Sequence, residues 1–224
     1  MTVAVNSMRV APEWREIGAA DVAAVHELHL AATQKVGRPD LIRPESRAFF
    51  EKMVSGAGRI VGLFDDEGLL AYGVLQWDLS IEDDPYGPLG LDRSVSLAKL
   101  AGTSVRPAAW GCGLHSRLIA WRIEAARSLG FRHLYSTSAP GNHRSWTNLI
   151  GEGFGICALK EQYGGHLRFL LTRTVDEPVR QARSGEWCAV EAIGRQRQLL
   201  GAGHQGVAWR KAKGAHEIFY APRH

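Results

Sequence analysis

One stretch near the middle of this chain constrains its fold more than any other: Val105-Arg106-Pro107-Ala108-Ala109-Trp110-Gly111-Cys112-Gly113-Leu114-His115. The residues before it, Leu97 to Val105, read as a strand. Those after it, Gly113 to Leu129, read as an amphipathic helix with Leu118 at a core position and Gly130 as its C-cap. Glycines at such a junction let backbone N–H groups converge without Cβ clashes. Those amides, together with the positive end of the helix dipole, make a site for phosphate oxygens. A strand-to-helix turn that merely uses two glycines is the plainer alternative, and Gly-x-Gly alone leaves that alternative ahead. A dinucleotide fingerprint is set aside, because Ser116 stands where its third glycine belongs and the strand before the loop does not open a β-α-β unit.

The rest of the chain places this loop in an alternating series of elements. Trp14 to Ile17 alternates as a strand. Asp21 can cap the helix that follows, in which Val22, Val25, Leu28 and Leu30 approximate a helical period, and Arg38-Pro39-Asp40 ends it. A second helix is expected from Ser46 to Val54. Arg59 to Phe64 and Leu69 to Trp77 read as a hairpin through Asp65-Asp66-Glu67-Gly68. Residues 80–94 form a polar stretch of turn formers, as well suited to a lid as to solvated padding. Arg132 to Ser138 reads as a strand, Asn142 to Gly151 as a helix, and Phe154 to Leu159 with His166 to Arg173 as a further strand pair. The class is α/β, in a mixed α+β arrangement.

Two units are expected: a main domain over residues 1–174 and a small extension over 175–224. The extension starts as a polar linker, Asp176 to Ser184, and continues as a β-α-β-β unit ending in a hairpin around Lys213-Gly214. It carries Trp187, Leu199, Trp209, Ile218 and Tyr220, too much apolar mass for a disordered tail and too little for an independent core. It should therefore dock on the main domain or across a homodimer.

Composition narrows the partners. The 224 residues carry a formal charge of +4, without a dense Lys/Arg run interleaved with aromatics, which argues against a nucleic-acid partner and suits an anionic small molecule. Three widely spaced cysteines, Cys112, Cys157 and Cys188, without any C-x-x-C, predict free thiols and no metal site. No apolar stretch approaches the ~20 residues of a membrane helix, and Met1 to Val10 lacks the apolar region of a secretory signal. A cytoplasmic protein without a membrane partner is the expectation.

The central loop resembles the acyl-CoA signature of the GNAT superfamily of N-acetyltransferases. In that family a strand ending in Val-x-Pro leads to Arg or Gln, two residues, Gly, one residue, then Gly or Ala. Val105 and Pro107 match the lead-in, Gly111 and Gly113 the loop, and Leu118 the helix. Downstream, Gly141-Asn142-His143-Arg144-Ser145 through Gly153-Phe154 is similar to the family's second signature. The two motifs occur in the family's order and on the expected elements, and the likeness covers roughly Trp14 to Arg173. It implies a mixed, mostly antiparallel sheet flanked by helices, and transfer of an acetyl or other acyl group from acyl-CoA to an amine of a small molecule or protein by direct attack. It implies that the backbone amides of Gly111, Cys112, Gly113, Leu114 and His115 hold the pyrophosphate, with Trp110 beside them at the cofactor site. Thr103, Ser104 and Val105 would bind the pantetheine arm, and Asn142 and Ser145 would sit beside the cofactor's thioester end. No metal is required.

Three positions depart from the pattern. Trp110 replaces the usual Arg or Gln. His115 replaces a small residue and would either add a contact to phosphate or crowd the loop. Leu149 stands where many members carry the Tyr that protonates the departing thiolate. The strand segment Lys99 to Ser104 also lacks the family's frequent Glu, which leaves Asp78, Glu82, Asp83 and Asp84 as nearby acids, with Glu82 as the representative base. Tyr163, in the turn before Gly164-Gly165, is the preferred general acid, and His143 is the second candidate. Water-mediated proton transfer remains an option, as does a non-catalytic CoA sensor. The acceptor would be selected by residues 35–50, the 80–94 stretch and the final hairpins.

Overall fold

A computed structural model of the chain describes residues 12–79 and 84–223. Glu82 and Asp83, two of the acids considered above, lie outside the described residues. The strands are β1 (Glu13–Glu16), β2 (Gly58–Asp65), β3 (Gly68–Gln76), β4 (Leu97–Val105), β5 (His133–Ser138), β6 (Gly155–Gln162), β7 (His166–Thr174), β8 (Glu186–Ala189), β9 (His204–Ala212) and β10 (Ala215–Pro222). The helices are α1 (Val22–Val36), α2 (Arg47–Lys52), α3 (Tyr86–Leu89), α4 (Leu114–Ser128), α5 (His143–Gly151) and α6 (Ile193–Gly201). All described strands join one sheet in the order β1-β2-β3-β4-β5-β7-β6-β9-β10-β8. Only β4 and β5 pair in parallel; the other neighbours are antiparallel.

The expected elements form, with local differences. The β2–β3 hairpin turns where Asp65 accepts the Glu67 amide at 3.0 Å, the bond of an Asx turn. Ser46 caps α2 by accepting the Phe49 amide at 3.3 Å, and a π-helical turn over Met53–Ala57 carries the chain into β2. Asp21 does not cap α1 with its side chain; its carboxylate is held by Arg15 at 2.8 Å for both oxygens and by the Gly18 amide at 3.1 Å. The 80–94 stretch is not open padding throughout. Its residues 86–89 form a helical turn whose Leu89 is buried with Leu97, Tyr135, Cys157 and Leu170.

Helices cover both faces. On one, Val22, Val25 and Leu28 of α1 and Phe50 and Met53 of the second helical segment pack on Ile60, Tyr72 and Val74. On the other, Ile119 and Ile123 of α4 and Trp146 and Ile150 of α5 pack on Leu75, Leu100, Leu134 and Phe169. The C-terminal strands extend the sheet through β6 and β9, at Ile156 opposite Gly206, and Cys188, Val190, Leu199, Ile218 and Tyr220 are buried in the same cluster as Trp146 and Ile156.

Candidate active site

Among the described strands, the one parallel pair creates the site. β4 and β5 are in register only over Leu97–Lys99 and His133–Tyr135, and then diverge. Beyond that point β4 follows β3, with a bulge between Gly73 and Leu75 opposite residues 100–103, while β5 follows β7. At the mouth of the divergence Ser136 Oγ donates to the Leu100 carbonyl at 2.9 Å. Backbone on the facing edges of the two strands is thus free of sheet partners, which leaves it open to a ligand arm lying between them.

A cavity of about 820 Å³ occupies this divergence and continues to the start of α4. Of the residues expected to hold a cofactor, Thr103, Ser104, Val105, Trp110, Gly111, Gly113, Leu114, His115, Asn142 and Ser145 line it. Cys112 does not; it is exposed. Gly111 and Gly113 have φ of 88° and 73°, the left-handed region, and a Cβ at either would meet open space. Among the described residues, the amides of Gly113, Leu114 and His115 donate to no backbone carbonyl outside the helix, as the first turn of a helix requires. The Trp110 and Cys112 amides are already engaged, donating to the Pro107 and Ala109 carbonyls at 3.2 and 3.4 Å. The cradle is therefore the helix start at Gly113, Leu114 and His115, which fits a pyrophosphate.

The departures from the family pattern resolve into packing. Trp110 Nε1 donates to the Val105 carbonyl at 2.8 Å, and the Arg144 guanidinium lies 5.4 Å from the centre of its ring. Arg144 therefore brings a cation from α5 to the side of the loop where the Arg or Gln is missing. His115 faces α5: its Nδ1 accepts from the Asn148 amide nitrogen at 2.9 Å. Burial, and then the nearby Arg122 charge, push its pKa down to about 4, so it is neutral and adds no charge to a phosphate. Leu149 is buried and lines the cavity, with no group to donate.

The three acid–base candidates are placed very differently. Tyr163 lines the cavity from the β6–β7 turn, where it takes a left-handed φ of 55°. Lys99 Nζ donates to its hydroxyl at 3.5 Å. His143 is not among the lining residues; its ring stacks on His216 with centroids 4.0 Å apart. Glu82 lies outside the described residues. Asp84 accepts from the Tyr86 amide and pairs with Arg93.

Sequence reasoning missed several charged and aromatic side chains in the cavity, Glu45, Arg122, Arg144 and Trp209 among them. Glu45 is the only carboxylate among the described lining residues. It precedes the α2 cap inside the 35–50 segment, but nothing in its neighbours marked its direction. Arg122, 1% exposed, donates to the Leu118, Val74 and Ala101 carbonyls at 3.0, 3.3 and 3.4 Å. Burial lowers its pKa to about 9. Its signal was available, for it occupies the core stripe of α4 one turn after Leu118. Arg144, and Trp209 from the C-terminal hairpin, complete the wall.

Glu45 is positioned by a buried histidine. His29 Nε2 accepts the Glu45 backbone amide at 2.8 Å, and Nδ1 lies 2.8 Å from the Tyr72 hydroxyl. Since Nε2 accepts, the ring is neutral with its proton on Nδ1. Burial lowers the His29 pKa to about 4 from 6.5. In the unfolded chain His29 takes up a proton near pH 6.5, whereas the fold resists it until about pH 4, so stability is complete above the higher value and lost as pH falls through this window. At pH 5 His29 should account for a loss of about 2 kcal/mol, with His115 acting in the same direction. Chemical denaturation from pH 7.5 to 4.5 measures this, and His29→Gln should flatten the slope; an equal slope in that variant would assign the effect elsewhere.

A strand divergence leading to an amide-lined helix start defines an acyl-CoA-binding fold. The sequence model of the acetyltransferase (GNAT) family matches residues 22–147, and the chain belongs to that family. Its reaction class is acetyl transfer from the CoA thioester to an amine. Solved structures share the fold. The chain is similar to yncA from Salmonella typhimurium, solved with its cofactor acetyl-CoA, at 19% identity and a TM-score of 0.58, covering 78% of this chain and 100% of that one. It is similar to the ribosomal-protein-S18-alanine N-acetyltransferase from Escherichia coli at 13% identity and a TM-score of 0.57, over 78% and 100% of the two chains. An N-acetyltransferase from Staphylococcus aureus Mu50 aligns at 15% identity and a TM-score of 0.56, over 75% and 100%. A search of curated proteins gives no match.

Proposed function

We propose that this protein acetylates the amine of a small molecule, with acetyl-CoA lying along the β4–β5 divergence. The observation that carries the reading is the continuity of one cavity from the amide cradle at Gly113, Leu114 and His115 to Glu45 and Tyr163. The amides of Gly113, Leu114 and His115 and the Arg144 guanidinium hold the pyrophosphate, the edge of Thr103–Val105 holds the pantetheine arm, and Asn142 and Ser145 flank it. Bound there, acetyl-CoA supplies the thioester carbonyl that the amine attacks. Glu45 takes the proton from the incoming ammonium, and Tyr163 returns one to the departing sulfur, its hydroxyl steadied by Lys99. The reading treats residues 1–174 as the catalytic unit and 175–224 as an extension that completes its wall at Trp209. It places the enzyme in the cytoplasm, in keeping with three cysteines that form no disulfide.

Release of free thiol from acetyl-CoA in the presence of an amine panel tests the reading. Glu45→Gln should lower kcat by ~10²-fold and Tyr163→Phe by ~10-fold, both with little change in KM for acetyl-CoA. Binding of acetyl-CoA without thiol release from any amine would favour a sensor instead. An unaltered rate in Tyr163→Phe would hand the sulfur's proton to water.

A further inference from the structure

Five apolar side chains line the cavity from the side of α1 and α2: Ala32, Val36, Leu41, Ile42 and Phe49. Ala32 and Val36 follow His29 on one stripe of α1, at spacings of three and four residues. His29 fixes the direction of that stripe, because its Nδ1 lies 3.4 Å from Ser104 Oγ on β4. Leu41 and Ile42 come from the connection after α1, and Phe49 from α2. Together these segments bridge the two diverging strands. A Cβ on Gly102 of β4 would lie 3.9 Å from Phe49 Cε1, and a Cβ on Gly141, just beyond β5, would come within 3.0 Å of Leu41 Cδ2. The Asp40 carbonyl ties the connection to β7 as well, accepting from Arg168 Nη1 at 2.7 Å.

Most of this wall is not core. Phe49 packs against the cluster that joins α1 to the sheet. Val36, Leu41 and Ile42 are half-buried and, among the described residues, join no hydrophobic cluster. They border the cavity instead. Polar neighbours are engaged within the fold: Thr33 Oγ1 donates to the His29 carbonyl at 2.8 Å, and Arg168 donates to the Asp40 and Leu167 carbonyls. The Arg43 guanidinium lies 5.2 Å from the centre of the Tyr163 ring. Apolar surface of this kind gains free energy when an apolar ligand group displaces the water against it.

The wall also stands across the sheet from the phosphate cradle. α1 and α2 pack on one face, and α4, whose start forms the cradle, packs on the other. The cofactor comes to the divergence from the α4 face, so a group that meets the wall on the α1 face arrives with the amine.

We propose that the acceptor is an amine with an apolar body, an alkyl or aryl amine, whose hydrocarbon part lies against Val36, Leu41, Ile42 and Phe49. This rests on the acetyl-transfer reading above, and it adds the chemical class of the acceptor.

Calorimetric titration of the CoA-loaded protein with straight-chain primary amines from ethylamine to hexylamine tests the proposal without requiring turnover. A fully buried methylene raises affinity about fourfold, so hexylamine should bind ~10-fold or more tighter than ethylamine even when burial is partial. The double variant Val36→Thr/Ile42→Thr keeps both side chains branched and alters no core cluster. It should lose most of that gain while binding CoA as the wild type does. Affinity that does not rise with chain length, a rise that the double variant keeps in full, or no binding anywhere in the series overturns the proposal. If the amines bind alike and hexanoyl-CoA binds ~10-fold tighter than acetyl-CoA, the wall belongs to the acyl chain and the proposal fails. Thiol release is read separately: a rise with chain length without thiol release upholds the apolar site and removes the acetyl-transfer reading.

Discussion

Gly113→Val should yield a folded protein that no longer binds acetyl-CoA measurably. Gly113 has φ of 73° at the start of α4, and the Cβ it lacks would project into open space beside the unpaired amides. A β-branched side chain there acts twice. It opposes the left-handed backbone, at a cost of about 1–2 kcal/mol that a domain of this size tolerates. It also stands where the phosphate oxygens must approach. Each hydrogen bond to a charged group contributes ~1.5–3 kcal/mol, so losing two weakens binding by ~10²-fold or more. Thermal melts establish that the variant is folded, and calorimetry reads the affinity. Gly113→Ala separates the two effects, because it shares most of the backbone strain but fills less of the cradle. A folded Gly113→Val protein with wild-type affinity would move the phosphate site away from this loop.

That prediction was available from the sequence because everything it needs is local. A strand, a proline, two glycines and an amphipathic helix declare themselves within a few residues of one another, and the amide cradle follows from backbone conformation alone. The β2–β3 hairpin and the start of the second helix at Ser46 were legible for the same reason. What the sequence hid depends on contacts between distant segments. The divergence of β4 from β5 is a matter of register, set by which strand each prefers to follow after Lys99 and Tyr135. Glu45 becomes a candidate base only because His29, on α1, holds its amide. Arg144 compensates for Trp110 only because α5 begins beside the loop. The fate of His143 was hidden in the same way: a histidine next to Asn142 suggests chemistry until His216, 73 residues later in the chain, packs its ring on it.

Ending the chain at Glu177 should abolish soluble, cooperatively folding protein, rather than merely trim it. This end point keeps Val175, whose amide donates to the Arg132 carbonyl at 2.9 Å and whose side chain is fully buried. What is lost is one wall of the largest core cluster. Cys188, Val190, Leu199, Ile218 and Tyr220 are buried with Trp146, Phe154 and Ile156. Each large apolar side chain among them contributes ~1.5–3 kcal/mol by leaving water, so the total approaches 10 kcal/mol, comparable with the whole stability of a typical domain. The join is intimate as well as large. A Cβ on Gly206 would come within 2.8 Å of Ile218, 3.2 Å of Ile156 and 3.3 Å of Tyr220, so β6 and β9 approach as closely as glycine permits. Arg223 donates to the Cys157 carbonyl at 2.7 Å, and Trp209 packs edge-on to Trp146 with ring centres 6.4 Å apart. Without these partners Trp146 and Ile156 would face solvent beside an open β6 edge, the arrangement that promotes association between chains. Solubility, size-exclusion mass and a thermal melt of the shortened chain read the outcome. If it remains monomeric and melts at the full-length temperature, the cluster shared by the two segments contributes little, and the extension is an attachment rather than part of the core.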